Sequence, residues 1–420
     1  MNLLARLKAA FSPHAYVRAA RTPMHDHTSP PFDACQAIDR LGGWSYAAAM
    51  LNAHAVAAAP LRLYVRRRPG RKLFASQPVS RRRLKFLAGD HDEGCRPSAH
   101  VLQKSAQWGD RFEQVVDPHP ALQLLASVNA CFNGFELTVL RMLYLQVTGN
   151  AYLHAVTDPS LGRPAELWPM PSQWMRIEST ASQLIAGYTF GQSAESRRTF
   201  QPDDVIHWKL PNLSDLRYGM GRMEAAWSAL SLHQSKRTMD LARYENHARP
   251  DFLLVVKQGA SVEALERFEQ QIDRKLRGPR KAGQFIAITG DVDAKPLNPA
   301  PDILGDDQRI VEEVAAAFGV PVSKLLTNHP NRAAADTADR AWLRDTILPL
   351  CRLDEETLNE QYLPQFGIED DAFLAYDNPV PEDRAFQLDR RTRYVAAGVM
   401  SVEEVREEEG MGGGSDRVIE

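Results

Sequence analysis

The sequence predicts an α+β chain on three observations. Short alternating strands cluster between residues 147 and 209, helical stripes bracket them, and residues 261–318 pair two amphipathic helices around a strand-rich excursion. In the first helix of that pair Val262, Leu265, Phe268, Ile272 and Leu276 recur at helical spacing among Glu263, Glu266, Glu269 and Asp273. Ser261 caps its start, Arg274, Lys275 and Arg277 gather at its end, and Gly278-Pro279 stops it. Phe285, Ala287 and Thr289 alternate as a short strand, Gly290-Asp291 turns, and residues 292–297 read as its partner. The second helix, residues 302–318, carries Ile303, Ile310, Val311, Val314, Ala317 and Phe318 on one stripe. Two helices with a strand module at their far end make a projecting arm, which suits an assembly better than an isolated globule.

The other elements follow in order. Residues 1–11 place Leu3, Leu4, Leu7 and Phe11 around Arg6 and Lys8, an amphipathic starter helix rather than a signal peptide. Residues 12–40 read as an irregular arm; His14, His25 and His27 beside Asp26 lack the fixed geometry of a metal site. An alanine-rich helix over 45–59 ends at Pro60, and residues 61–65 alternate as a strand. Arg66, Arg67, Arg68, Arg71, Lys72, Arg81, Arg82, Arg83 and Lys85 then run without an acidic residue until Asp90. Such a stretch suits either a phosphate backbone or an acidic neighbouring subunit, and only Phe74 interrupts it as a stacking platform.

A helix over 135–146 turns into a strand through Thr148-Gly149-Asn150. Further strands are expected at 165–170, 175–178, 185–190 and 205–209, an antiparallel set. Tyr218-Gly219-Met220-Gly221 is a tight turn before a helix reaching about His247; the chain holds no GxxxxGK[ST] phosphate loop. After Gly319-Val320-Pro321 comes a short helical turn at 323–326, then the polar loop Thr327-Asn328-His329-Pro330-Asn331-Arg332. Asp336 is expected to cap a long helix through Asn359 that Pro349 kinks. A polar helical pattern at 382–409 and a glycine run at 412–414 predict an acidic surface and a flexible end. The resulting divisions are 1–43, 44–250, 251–277, 278–300, 301–326, 327–336, 337–366 and 367–420.

Composition is that of an ordinary folded protein: 420 residues, 44% hydrophobic and 25% charged. The formal net charge of -3 excludes a polycation that wraps nucleic acid tightly. Cys35, Cys95, Cys131 and Cys351 are scattered and form no CxxC, so reduced thiols are expected, without a metal or cofactor. No apolar run is long enough to span a bilayer.

Five stretches in one order carry a resemblance: His119-Pro120-Ala121-Leu122-Gln123-Leu124-Leu125, Thr148-Gly149-Asn150-Ala151-Tyr152, Asp204-Val205-Ile206-His207-Trp208, Tyr218-Gly219-Met220-Gly221-Arg222-Met223-Glu224-Ala225-Ala226 and Ala317-Phe318-Gly319-Val320-Pro321. From about Trp44 to Gly410 the chain resembles the portal proteins of tailed bacteriophages, in the HK97-type group. The resemblance implies a ring of about twelve identical subunits at one capsid vertex. Its expected partners are double-stranded DNA in the axial channel, the large terminase, the major capsid or scaffold protein, and the head-tail adaptor; no membrane is expected. It implies a virion protein made in a host bacterial cytoplasm or encoded by an integrated prophage.

On that pattern 44–250 is a wing, 251–277 and 301–326 are stem segments, 278–300 is the clip, 327–336 is a tunnel loop, 337–366 leads to the crown, and 367–420 is crown-like. Leu265, Phe268, Ile272, Leu276, Ile310 and Val314 become packing residues between neighbouring stems. Asn328, His329, Asn331 and Arg332 become weak contacts to DNA, with an exposed subunit-contact loop as the plainer alternative.

An enzyme remains the reading of a different class. Asp302, Asp306, Asp307, Glu312 and Glu313 can be drawn as a divalent-metal nuclease cluster, but Asp306 and Asp307 point about 100 degrees apart on a helix. Glu312 and Glu313 read as its solvated face, and His207 as a structural strand residue because no nucleophile is tied to it. The expectation is a non-enzyme; a non-portal capsid or adaptor component is a third reading.

Overall fold

The computed structural model describes residues 33–67, 75–89, 96–109, 111–116, 119–180, 183–193, 195–245, 252–256, 292–296, 307–326, 332–368, 370–381 and 384–408. The chain divides into two compact units, one of Met1–Ala225 with Ala315–Glu420 and one of Ala226–Val314. The starter helix at 1–11, the His14 to His27 arm and Cys95 lie outside the described residues. Cys35 and Cys131 are exposed free thiols, and Cys351 is a buried one.

In the larger unit one antiparallel sheet has the order β12-β1-β3-β2, with β1 Leu61–Arg66, β2 Ser76–Pro78, β3 Phe112–Val115 and β12 Ala372–Tyr376. β12, within the 367–420 region, pairs with β1, Leu63 opposite Leu374 and Leu61 opposite Tyr376, and the sheet encloses its five consecutive buried residues. A second sheet orders β5-β4-β9, from Arg163–Met170, Asn150–Asp158 and Val205–Lys209. A third, small sheet holds β6 Met175–Glu178, β7 Gly187–Phe190 and β8 Arg198–Phe200.

The helix Gly134–Thr148 packs against β4 and β5 of the second sheet. Asn133 and Glu136 form a reciprocal capping box at its start, with Asn133 Oδ1 accepting from Glu136 N at 2.8 Å, and Gly149 in the left-handed region ends it. The Gly43–Ala57 helix packs along it, and Met142, Leu145, Leu153, Leu167, Ile206 and Trp208 are buried in the shared core.

The helix from Arg332 begins four residues before the expected cap, so Asp336 is an ordinary helical residue. Pro349 does not break its continuation. The turn Leu343–Ile347 widens to a π-helix just before Pro349, and a second π turn, Leu358–Tyr362, precedes Pro364. A widened turn relieves the clash between a proline ring and the carbonyl four residues back.

This long helix carries Asp354 into the core. Arg141 Nη2 lies 2.7 Å from Asp354 Oδ2, with side chains 3% and 0% exposed. The Tyr376 hydroxyl donates to the same Asp354 oxygen at 2.6 Å, and the Arg141 guanidinium lies 4.6 Å from the Trp208 ring. The next residue, Glu355, accepts from Tyr376 N at 2.7 Å, so β12 is tied to the long helix by side chains as well as packing.

The smaller unit contains the helix Trp227–Glu245, the two-stranded ladder of β10 Phe252–Val256 with β11 Val292–Pro296, and the start of the helix Asp307–Phe318. The residues expected as the 292–297 strand do form one over Val292–Pro296, and its described partner is β10, with Leu254 opposite Ala294. Phe252–Val256 is thus a strand inside what was read as the first stem segment. Its unbroken apolar run, Phe-Leu-Leu-Val-Val, has no helical period and favours the extended chain. The 285–289 strand, the helix of 261–277 and the rest of 278–291 lie outside the described residues.

Candidate functional site

Three of the singled-out stretches meet at one junction. Gly149, Gly219 and Gly221 bring two chain segments together so closely that a methyl group on Gly219 would sit 2.0 Å from the Gly149 carbonyl oxygen. Asn150 locks the crossing: its Oδ1 accepts from Gly219 N at 2.7 Å and its Nδ2 donates to the Thr148 carbonyl at 3.0 Å. Tyr218 reaches the small sheet, its hydroxyl accepting from Ile177 N at 2.7 Å. His207, opposite Tyr152 on the neighbouring strand, stacks on that ring at 4.3 Å. Its Nε2 donates to Asn150 Oδ1 at 3.2 Å and its Nδ1 accepts from the Tyr188 hydroxyl at 3.3 Å. Both ring nitrogens are engaged by these structural contacts, and His207 holds a joint.

Burial, with the Lys209 charge adding to it, pushes His207 down to about 3. In the unfolded chain it titrates near about 6.5, so between those values the unfolded state binds a proton that the folded state refuses. Stability then falls with pH, by about 1.4 kcal/mol per unit below about pH 6 from this residue alone. Urea midpoints at pH 7 and pH 5 test this: His207→Gln is expected to flatten the dependence, and an unchanged difference between the two pH values refutes it.

A second joint forms the root of the polar loop. The Asp307–Phe318 helix ends in a Schellman turn, Val320 N donating to the Ala315 carbonyl at 2.9 Å and Gly319 N to the Ala316 carbonyl at 3.2 Å, with Gly319 at φ 67°. Glycine is also required sterically, since a Cβ there would lie 2.6 Å from Thr346 Oγ1. The Phe318 carbonyl accepts from Asn52 Nδ2 at 2.9 Å and from Arg222 Nη1. Asn52 also donates to Gln146 Oε1 at 2.8 Å and accepts from Trp342 Nε1 at 2.8 Å, which uses the whole amide.

From this turn Val322–Leu325 leads into the loop, and Arg332–Trp342 leads out. Lys324 bridges the two flanks, its Nζ 2.9 Å from Asp339 Oδ2 and 4.6 Å from the Trp342 ring centroid. The segments flanking 327–331 are therefore braced to each other, with the Lys324 charge paired to a carboxylate.

Of the expected loop contacts, Asn328, His329 and Asn331 lie outside the described residues, and Arg332 opens the outgoing helix. Leu265, Phe268, Ile272 and Leu276 are also outside them. Ile310 and Val314 are 7% and 0% exposed, already covered within a single chain. In the basic stretch Arg66 and Arg67 are exposed, Arg67 lying 3.4 Å from Glu113. Arg68, Arg71 and Lys72 lie outside the description, and Arg81 and Arg82 begin a short helix, Arg81–Leu87.

Arg83 departs from a surface patch. Its side chain is 14% exposed, donates to the Tyr64 hydroxyl and the Tyr376 carbonyl at 2.8 Å each, and pairs with Asp377 at 3.3 Å. Its helix places it over the β12-β1 edge, where those acceptors draw the guanidinium inward.

Glu312 and Glu313 are exposed, Glu312 accepting from Gln308 and Glu313 paired with Arg309. Among the described residues no group of three or more His, Cys, Asp or Glu could hold a metal ion, and no helix is long and apolar enough to cross a membrane. Sequence reading missed Asn52, Gln146, Lys324 and Asp339. Their only signal is polarity inside helical stripes; Asn52 finds its partners across 94 or more residues, and Lys324 meets Asp339 across 15.

Comparison with known proteins places the chain. It is 27% identical over 250 residues to an uncharacterized protein of Rickettsia bellii, covering 56% of this chain and 64% of that relative's length. A structure described as the neck of an empty GTA particle shares its fold at TM-score 0.57 and 24% identity, covering 94% of this chain and 98% of that one. The neck of a native GTA particle computed with C12 symmetry matches at TM-score 0.57 and 23% identity over 96% of this chain and 100% of that one. The family described as Phage portal protein matches residues 100–410, and the chain belongs to that family.

Proposed function

We propose that the protein is the structural subunit of a portal ring at one vertex of a phage-like capsid. Double-stranded DNA passes through its axis on packaging and ejection, and the ring docks a packaging terminase on one side and a head-tail adaptor on the other. The observation that carries this reading is the family match across residues 100–410. Portal proteins are structural and non-catalytic, so hydrolysis of nucleotide belongs to the terminase partner. The fold shared with neck structures of GTA particles, computed with C6 and with C12 symmetry, supports a ring and a place in the particle.

A conduit has to position a duplex and let it slide. About 6 to 10 phosphate contacts would make binding steeply salt-dependent and slow to release. A net charge of -3 and a loop root whose Lys324 is paired with Asp339 favour weak contacts repeated from subunit to subunit. Asn328, Asn331 and Arg332 are the contacts proposed, and the stems pack through Leu265, Phe268, Ile272 and Leu276.

Electron microscopy with mass measurement on the purified protein under capsid-assembly conditions tests the ring. Closed rings with an axial hole wide enough for a duplex support it, and a monomer under every condition rejects it. Replacing Asn328, Asn331 and Arg332 together by alanine is expected to lower packaged DNA several-fold while rings persist. Unchanged packaging and genome retention would remove the loop from the DNA path.

A further inference from the structure

Two helices that pack along one another share an apolar shelf. Gly43–Ala57 and Gly134–Thr148 run antiparallel, since Gln146 Nε2 donates to the Ala49 carbonyl at 3.1 Å toward one end and His54 stacks on Phe135 at 6.0 Å toward the other. Tyr46, Met50 and His54 recur every fourth residue on the first helix, and Phe135, Val139 and Leu143 do so on the second. The stacked pair sets the two stripes on the same side of the helix contact, and the antiparallel run carries Met50 along beside Val139 and Tyr46 beside Leu143. Tyr46 and Phe135 are 47% and 50% exposed, His54 is exposed, and the other three are half-buried. The shelf carries no lysine, arginine or carboxylate and suits an apolar partner rather than a polyanion.

We propose that residues 1–11 of the same chain dock on this shelf as a short helix, apolar stripe against apolar stripe. Leu3, Leu7 and Phe11 repeat the four-residue spacing, and Arg6 and Lys8 fall about 100 degrees to either side of Leu7. All three stripes therefore run the same length, about 12 Å of helix. A segment that short does not hold a helix alone in water and needs a surface to lie on. The described residues begin at Asp33, whose carboxylate caps Ala34–Asp39, and that helix packs against Gly134–Thr148. The preceding chain thus departs beside a helix that bears one of the stripes. Fully extended, residues 12–32 reach roughly 70 Å, against about 22 Å for the whole of Gly134–Thr148. Such a tether holds residues 1–11 at an effective concentration on the order of millimolar beside their own shelf, and a second copy at micromolar concentration competes poorly. The contact goes beyond the portal reading and does not depend on closure of a ring.

Disulfide trapping in the full chain tests the docking, with Cys35, Cys95 and Cys131 replaced by serine and oxidised glutathione as the oxidant. Leu7→Cys with Met50→Cys is expected to link at least about tenfold faster than Lys8→Cys with Met50→Cys, because adjacent helical positions point about 100 degrees apart. Peptide mass mapping identifies the bond. Adding Phe135→Asp to the faster pair is expected to slow it about fivefold. Position 135 is half exposed in the first turn of its helix, where an aspartate is compatible with folding.

Equal rates from positions 7 and 8 would mean a tether that merely collides with the surface, and would overturn the docked helix. A Phe135→Asp variant that links as fast as its parent would remove the shelf as its seat. Two differently tagged copies, mixed before oxidation, separate the remaining case: a bond that joins unlike tags would give the shelf to a neighbouring copy and reject the contact within one chain.

Discussion

Asp354→Ala is expected to lower the unfolding free energy by about 3–5 kcal/mol. Removing the carboxylate leaves the Arg141 charge, 3% exposed, beneath Trp208 without its counterion. It also takes the acceptor from the Tyr376 hydroxyl. The cost arises from stranding a buried charge rather than from losing one attractive contact, and this separates two outcomes. The double variant Arg141→Met with Asp354→Leu puts apolar volume in place of the pair and is expected to recover most of the loss. Urea unfolding of the three variants reads it directly. A single-variant loss under about 1 kcal/mol, or a double variant no better than Asp354→Ala, would show that water reaches the pair.

Gly219→Ala is expected to cost about 3 kcal/mol or more, or to prevent folding at 37 °C, although it adds one methyl group. The added carbon would lie 2.0 Å from a backbone carbonyl oxygen, and backbone cannot swing aside as a side-chain tip can. Gly42→Ala is the matched control: nothing lies within 4 Å of a Cβ there, and a loss under about 1 kcal/mol is expected. Equal effects from the two would mean that the close crossing of Gly149 and Gly219 is not maintained in solution. Thermal melts monitored by circular dichroism suffice.

Much of the larger unit was legible because its elements announce themselves locally. Alternation alone located Met175–Glu178 and Val205–Lys209 to the residue, and the glycines of 149 and 219 each marked a turn, though not their close approach to one another. The start of the long helix was misplaced because Asp336 is a good cap by residue type, while nothing in the preceding Ala-Ala-Ala run opposes helix. The strand Phe252–Val256 falls between the helix expected to end near His247 and the one expected from Ser261, and its pairing with Val292–Pro296 spans a separation that no local pattern encodes.

The candidate site was legible as motifs but not as a mechanism of support. Gly319-Val320-Pro321 was visible as a stop signal. That its carbonyl neighbour is held by Asn52 and Arg222, from two other helices, is a tertiary fact. Likewise Arg83 belonged to a run of arginines by composition, and only the position of Tyr64, Tyr376 and Asp377 turns it inward.

The pairing of β12 with β1 has a consequence for synthesis. A ribosome must deliver residue 376 before the strand at 61–66 gains its outer neighbour, so the first sheet waits through most of translation with that edge open. A chain that stops early can fold its middle strands, yet it lacks Asp354, Tyr376 and the closing edge at once. Only a chain translated past Tyr376 closes this sheet, so truncation anywhere before residue 372 leaves one side of β1 unpaired.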